Sequence, residues 1–311
     1  IDYAVKMGCE VITMSLGGNT NRRLAKAINR AYEAGVLFVS AAGNSIVRGA
    51  AKVGPRTLIY PARYERVLAA CGVAENHFPY DFEAQKLDKD LQAKSMDTNY
   101  MQGNWGPFRH MEHAIAAYTP NVPWLAKDDK HPIKKNGGGT SSATPQVATT
   151  AALWILKHKM ELEQLGYTGT WKQVEAVRHA LYHSTKPGPF PDWAKYYGQG
   201  IIQAKNALKV KPLADDRLKK AAKARSSWAG LGEMASMLLK RKKSIEDKTD
   251  SLNASLQNEM QSLLMETEQG QDLLDQMLHE GNAEDQKTVH EYLLSMDSLS
   301  NRLRAYLDST P

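Results

Sequence analysis

The hydrophobic residues in the first 120 positions form short continuous runs, separated at one point by an amphipathic segment. Four runs have the length of a strand: 9–16 (CEVITMSL), 36–42 (VLFVSAA), 67–73 (VLAACGV) and 114–118 (AIAAY). Between the first two, apolar side chains recur at helical spacing from Arg22 to Ala34, and Gly35 ends the pattern. Continuous apolar strands joined through a helix predict a parallel sheet that is buried on both faces.

The main elements predicted between residues 146 and 208 are helices. An apolar helix is predicted over 146–157, an amphipathic one over 174–182 and a short closing helix over 204–208. Residues 75–113 show no period, and 126–135 (AKDDKHPIKK) read as a charged loop. We therefore expect an α/β fold: a doubly wound, mostly parallel sheet with helices on both faces.

Beyond residue 208 the pattern changes to that of a helical extension. Two apolar stripes, from Ser251 to Leu278 and from Val289 to Tyr306, flank a break at Gly281-Asn282. Their spacing, near 3.5 residues, predicts a helical hairpin that buries its apolar face against the first domain, against itself or against another subunit. The predicted organisation is a domain at 1–210, a basic linker at 211–243 and the hairpin at 244–311.

The distribution of charge along the chain agrees with this division into three segments. The chain of 311 residues carries a formal charge of +6, made up of +8 over 1–208, +8 over 209–243 and −10 over 244–311. A basic segment beside an acidic one favours a self-contact or a protein partner over DNA. The basic runs also lack the interleaved aromatic residues that stack on bases, which argues against nucleic acid. No apolar run approaches the roughly 20 residues of a membrane span.

The two cysteines, Cys9 and Cys71, both lie in apolar runs. We expect two buried thiols rather than a disulfide.

A glycine run followed by small hydroxyl residues is the candidate for chemistry. Residues 137–145 read GGGTSSATP and lead directly into the predicted apolar helix. A serine at a helix start lies among unpaired backbone N–H groups, where a negative oxygen can be held. Taken alone, the same pattern also fits a glycine loop with a serine N-cap.

Five blocks together decide between these readings. They are 14–18 (MSLGG), 41–44 (AAGN), 60–62 (YPA), 139–148 (GTSSATPQVA) and 197–200 (YGQG). In this order and spacing the chain resembles the C-terminal two-thirds of the catalytic domain of a subtilase, a subtilisin-like serine protease. The resemblance covers about residues 1–210 and implies cleavage of a peptide or protein substrate through an acyl-enzyme.

The resemblance also implies roles for single residues. Ser141 matches the nucleophile, and Asn44 matches the side-chain donor of the oxyanion hole, with the Ser141 backbone N–H as its partner. Two segments match the walls of the first specificity pocket: Ser15, Leu16 and Gly17 on one side, and Ala41, Ala42 and Gly43 on the other. Thr140 either supports the oxyanion site or has a structural role.

This sequence departs from the family pattern in its general base. In subtilases the catalytic Asp and His precede the segment that matches residues 15–17, so we expect a partial catalytic domain with little activity by itself. The four histidines before Ser141 lack the glycine-flanked context of the family's base: His77, His110, His113 and His131. The alternative is a non-catalytic binding or scaffold protein that keeps the fold. The family resemblance allows for calcium, but no ligand cluster identifies a site.

A second departure is Ile59. Many subtilases have glycine here, at the floor of the specificity pocket. A bulky floor implies a shortened pocket that favours small or medium side chains.

Overall fold

The computed structural model describes residues 1–48, 51–53, 57–81, 100–127, 132–225, 256, 259–265, 267–279 and 283–308. Most of the predicted basic linker (226–243), the beginning of the predicted hairpin (244–255) and His131 lie outside these ranges. Two compact units are present: residues 1–18 with 26–224, and residues 19–25 with 225–311.

The strands of the first unit form three sheets. Their bounds are β1 Val11–Met14, β2 Leu37–Ala41, β3 Asn44–Arg48, β4 Ala51–Val53, β5 Val67–Val73, β6 Tyr100–Gly103, β7 Ala114–Tyr118, β8 Val122–Leu125 and β9 Ile133–Gly137. The main sheet has the order β1-β2-β5-β7, and all three of its pairings are parallel. Strands β4-β3-β6 and the hairpin β8-β9 form the two smaller antiparallel sheets.

The helices flank the main sheet. Their bounds are α1 Asp2–Lys6, α2 Arg22–Glu33, α3 Gly139–Lys157, α4 Lys159–Gln164, α5 Trp171–His183, α6 Ala194–Tyr197 and α7 Ala204–Ala207. One core layer joins alternate residues of the strands to α3 and α5, around the fully buried Trp154. The other joins the intervening residues to α6 and to the 3₁₀ turn Phe108–His113. The fold is therefore α/β with helical layers on both faces of a parallel sheet, as predicted.

The strand pattern explains this burial. Every residue of β2 and β5 is buried, which matches their continuous apolar sequences. In contrast, β1 is an edge strand among the described residues and is only partly covered. The prediction that Cys9 is buried is wrong, because it precedes this edge strand and is exposed. Both thiols are free, and Cys71 in the central strand β5 is buried as predicted.

The hydrophobic pattern does not predict several of the observed elements, including β3, β4, β8 and α4. Strand β6 and the 3₁₀ turn lie within 75–113, which had been read as irregular. Strand β9 lies within the stretch read as a charged loop, since its sequence IKKNG carries no apolar alternation. The helix α3 also begins earlier than predicted, at Gly139 rather than near Gln146.

The first unit extends beyond the predicted end at residue 210. Residues 208–224, here called the C-terminal strap, are fixed by buried or half-buried side chains of the domain. Trp154 Nε1 donates to Val210 O at 2.8 Å, and Tyr167 Oη donates to Leu213 O at 3.0 Å. At the far end, the Asn29 amide exchanges two hydrogen bonds with the backbone of Ala224.

The second unit contains helices with a core of their own. Helices α8 Glu268–His279, α9 Ala283–Leu294 and α10 Asn301–Asp308 bury leucines and a valine, including Leu274, Val289, Leu293, Leu303 and Leu307. The second predicted stripe is therefore two helices rather than one. The break has a local cause, because the Ser300 hydroxyl accepts the Leu303 N–H and caps α10.

Within the described residues, no helix is long and apolar enough to cross a bilayer.

Candidate active site

Ser141 lies in the first turn of α3. The helix begins at Gly139, after Gly138 as an extended N-cap residue. Gly139 has φ of +70°, a conformation that favours glycine, and its carbonyl accepts a hydrogen bond from Thr119 Oγ1 at 3.0 Å. The glycine run thus turns the chain sharply from β9 into α3. As a result, the side chain of Ser141 stands at the positive end of the helix dipole.

Asn44 meets the start of this helix. It is the first residue of β3, directly after the buried strand β2 and Gly43. Its Oδ1 accepts the backbone N–H of Thr140 at 2.9 Å. A Cβ atom on Gly139 would lie 3.0 Å from both Oδ1 and Nδ2 of Asn44, so glycine permits this approach. The carboxamide therefore lies against the two residues that precede Ser141.

Thr140 ties the same two elements together from inside. Its hydroxyl is buried, accepts the Gly43 N–H at 3.1 Å and donates to Gly43 O at 2.9 Å. These two bonds fix the end of β2 against the beginning of α3. The Thr140 hydroxyl also lies 3.3 Å from Asn44 Oδ1, so its contacts fit both a structural role and support of the Asn44 carboxamide.

Ser15 is the direct partner of Ser141. The Ser141 hydroxyl donates to Ser15 O at 3.3 Å, and the Ser15 hydroxyl donates to Ser141 O at 2.7 Å. From the family resemblance, Ser15 is expected only in the wall of a substrate pocket. Because the two residues are 126 positions apart, no local pattern indicates this reciprocal pair.

The two predicted pocket walls face each other across Ile59. A Cβ atom on Gly17 would lie 2.5 Å from Ile59 Cδ1, and one on Gly43 would lie 2.9 Å from the same atom. The Ile59 N–H donates to Ala42 O at 3.0 Å. The side chain of Ile59 therefore fills the space between the glycines of the two walls.

The remaining predicted wall residues differ in exposure. Leu16 is exposed, and its carbonyl accepts a hydrogen bond from Ser40 Oγ at 3.3 Å. Ala41 and Ala42 are buried, and the Ala42 N–H bonds to Ala70 O in the neighbouring strand β5.

His113, the one fully described buried histidine before Ser141, is committed to another contact. Its Nε2 lies 2.9 Å from Ala62 O. Burial, reinforced by the positive charge of Arg178, lowers the pKa of His113 to about 3. A neutral imidazole held in this way is a poor proton acceptor at neutral pH. His77 also lies elsewhere, with its ring against Tyr118.

Acidic and thiol ligands do not gather in this part of the structure. Across the described ranges, no three or more His, Cys, Asp or Glu side chains come together as a metal-binding group.

Comparison with known proteins agrees with the family suggested by the motifs. The family model Peptidase_S8, the subtilase family, matches residues 1–200. The chain belongs to the subtilase family. Subtilases are serine proteases, and the matched region includes Ser15, Asn44, Ile59 and Ser141.

Individual subtilases are distant relatives. Subtilisin DY of Bacillus licheniformis is 29% identical over 208 residues, which cover 67% of this chain and 60% of that protein. Subtilisin E of Bacillus subtilis is 26% identical over 210 residues, covering 67% and 43%. The thermostable alkaline protease of Halalkalibacterium halodurans is 30% identical over 154 residues, covering 49% and 33%. The chain thus spans between a third and three-fifths of the length of these relatives.

Solved structures include similar chains. The prenylagaramide maturation protease PagA is 25% identical, with a TM-score of 0.49 and coverage of 67% of this chain and 64% of that chain. The patellamide maturation protease PatA is also 25% identical, with a TM-score of 0.48 and the same coverage.

Proposed function

We propose that this chain is the nucleophile-bearing part of a subtilisin-type serine endopeptidase. Ser141 is the nucleophile, and the Asn44 amide with the Ser141 backbone N–H forms the oxyanion hole. The observation that carries the proposal is the position of Asn44: its Oδ1 is bonded to the Thr140 N–H, one residue before Ser141. This bond aims the opposite, N–H end of the carboxamide away from the helix backbone.

The proposed reaction is acyl transfer. Ser141 Oγ attacks the carbonyl carbon of the scissile peptide, and its proton passes to a general base. The negative oxygen that forms is held by the Asn44 N–H and the Ser141 N–H, each worth several kcal/mol in such sites, about 2.7–4 for one donor. The protonated base then gives its proton to the departing amine as the C–N bond breaks. Water repeats the sequence and releases the acid.

The general base is the part of this proposal that the described residues do not supply. We propose that a histidine and its orienting aspartate come from polypeptide that precedes residue 15 in the family's order. Without them, the serine hydroxyl stays protonated at neutral pH and is a weak nucleophile.

The second candidate is a binding or scaffold protein that has kept the fold without the chemistry. It is favoured by the hydrogen bond from Ser141 Oγ to Ser15 O, since a carbonyl accepts this hydrogen but does not remove the proton. In this reading the residues around Ser141 hold a peptide without cutting it.

Labelling with a fluorophosphonate probe separates the two candidates. The complete polypeptide, with any preceding sequence, is compared with Ser141→Ala and Ser142→Ala variants. Ser142 is a matched control because it is adjacent and its hydroxyl donates to Gly138 O. We expect labelling of the parent and of Ser142→Ala, and none of Ser141→Ala. Labelling that survives in Ser141→Ala contradicts the assignment of the nucleophile, and an unlabelled parent supports the scaffold.

A further inference from the structure

The hairpin β8-β9 exposes large apolar side chains beside the proposed nucleophile. Leu125 and Ile133 face each other across the two strands and are 80% and 58% exposed, while the neighbouring Trp124 is 49% exposed. Trp124 is held in place by a hydrogen bond from its Nε1 to Asn136 Oδ1 at 2.9 Å. An isolated two-stranded ribbon has little stability of its own. Large apolar side chains exposed on such a ribbon indicate a surface that binds a ligand or another chain.

Both ends of this hairpin are fixed to the start of α3. Before β8, Tyr118 O accepts the side chain of Gln146, which also binds Ser142 O, each at 2.8 Å. Thr119 Oγ1 donates to Gly139 O. After β9, only three residues separate Gly137 from Ser141. The hairpin is therefore fixed at both ends close to Ser141.

The hairpin and the segment of Ser15 both adjoin Ser141, but they follow different strands of the main sheet. Strand β7, which leads into the hairpin, and β1, which leads into Ser15, are opposite ends of the described main sheet. If the acyl half of a substrate follows residues 15–17, the half that departs as the amine extends towards the hairpin. The distance fits a polypeptide, because Ile133 is four residues, or about 13 Å, along β9 from Gly137.

Charge indicates which side chains would be accepted. The described hairpin residues include Lys127, Lys134 and Lys135, and neither strand contains an acidic residue. A sequence with apolar residues flanked by acidic ones complements this surface.

We propose that the β8-β9 hairpin binds substrate residues that follow the scissile bond, from about the third residue onward, and that it prefers apolar residues flanked by acidic ones. This proposal rests on the proposed function, since it defines the substrate of that site. Leu125 and Ile133 supply the apolar contact, and the lysines supply the charge preference.

The test compares two fluorogenic peptides that are identical through the first residue after the cleaved bond. The short peptide ends there, and the long one continues with Gly-Leu-Asp-Phe-Glu. The complete polypeptide is assayed beside a Leu125→Ser/Ile133→Ser double variant and a Leu156→Ser control. Leu156 lies on α3 and is 71% exposed, so its change matches the others in chemistry and exposure.

We expect the double variant to lose about tenfold in kcat/KM on the long peptide through KM, and to cleave the short one normally. The control should behave as the parent on both peptides. Equal use of the long and short peptides by the parent overturns the proposal. So does equal use of a long peptide in which Lys replaces Asp and Glu.

Direct binding separates this proposal from the proposed function. In a Ser141→Ala background, anisotropy of the labelled long peptide should still report binding that the double variant weakens about tenfold. That outcome supports the hairpin surface even if the parent never cleaves peptides or reacts with a fluorophosphonate. Vesicles of phosphatidylcholine and phosphatidylserine are the second probe. Hairpin-dependent binding to vesicles, with unchanged peptide binding, overturns the proposal.

Discussion

Ile59 occupies the space between Gly17 and Gly43, the glycines of the two predicted pocket walls. A Cβ atom added to either glycine would lie 2.5–2.9 Å from the Cγ1 and Cδ1 atoms of Ile59, which is too close. A residue with a long side chain therefore has no room to reach between the two walls. The structure gives this steric argument, whereas the assignment of the walls comes from the family.

The first prediction follows from that steric argument. In an Ile59→Gly variant, peptides with Leu or Phe before the scissile bond should gain on the order of tenfold in kcat/KM relative to those with Ala. Ile59→Val is the matched control, since it keeps most of the volume and should keep the preference. Steady-state kinetics on a peptide series measures both. An unchanged preference in Ile59→Gly would remove Ile59 from the pocket.

The second prediction concerns pH and His113. Burial lowers the pKa of His113 to about 3, against about 6.5 in an unfolded chain. Between these values the unfolded chain binds a proton that the folded chain does not. The free energy of unfolding should therefore fall as the pH drops below about 6.5, with up to ~1.4 kcal/mol per pH unit from this residue.

Substitution isolates this contribution of His113. His113→Gln keeps an N–H that can donate to Ala62 O and removes the titration, so stability should depend less steeply on pH. Urea unfolding between pH 4 and 7 measures the slope, with exposed His183→Gln as the control. Identical slopes in both variants would show that folding does not lower the pKa of His113.

At the scale of elements, the hydrophobic pattern predicts buried strands better than it predicts exposed ones. β2, β5 and β7 are continuous apolar runs, and each lies within about a residue of its predicted bounds. The ribbon β8-β9 was missed because Lys135 and Asn136 are exposed and β9 shows no apolar alternation. The ribbon therefore has no recognisable hydrophobic pattern. Backbone pairing and contacts with the start of α3 hold it in place.

The residues of the candidate site were predicted from sequence motifs and not from the spacing of hydrophobic residues. Ser141 and Asn44 were singled out by resemblance to a family, and the structure brings Asn44 against the residue before Ser141. The pairing of Ser15 with Ser141 and the insertion of Ile59 are contacts between distant segments. A single sequence carries no local signal for such contacts.

The third prediction concerns the C-terminal strap, an element without regular secondary structure over most of its length. Asn29 donates to Ala224 O at 2.8 Å and accepts the Ala224 N–H at 2.9 Å. Asn29→Ala leaves both backbone groups without this partner and should cost about 1–3 kcal/mol of unfolding free energy. Asn206→Ala, the same change at an exposed position, should cost little. Equal midpoints for the two variants in urea would contradict the contribution of these bonds.

At the scale of the whole molecule, the compact first unit is longer than the matched family region. The family model ends at residue 200, while the unit continues to Ala224. Part of the segment read from sequence as a basic linker is engaged inside the unit. Lys220 Nζ lies 2.6 Å from Glu33 Oε2, and Arg66, with a buried side chain, lies 3.0 Å from the other oxygen of Glu33. Some of the local excess of positive charge is thus balanced by the domain's own carboxylate.

The fourth prediction compares two truncations. A chain that ends after Arg225 keeps every strap contact of the first unit, whereas one that ends after Val210 loses the bonds to Tyr167 and Asn29 and the ion pair of Lys172 with Asp215. It also uncovers apolar surface, because Leu218 packs against the core layer around Trp154. We expect the longer truncation product to show cooperative unfolding, and the shorter one to unfold at a clearly lower urea concentration or to aggregate. Near-ultraviolet circular dichroism during urea titration compares them, and coincident midpoints would mean that the strap lies on the domain without stabilising it.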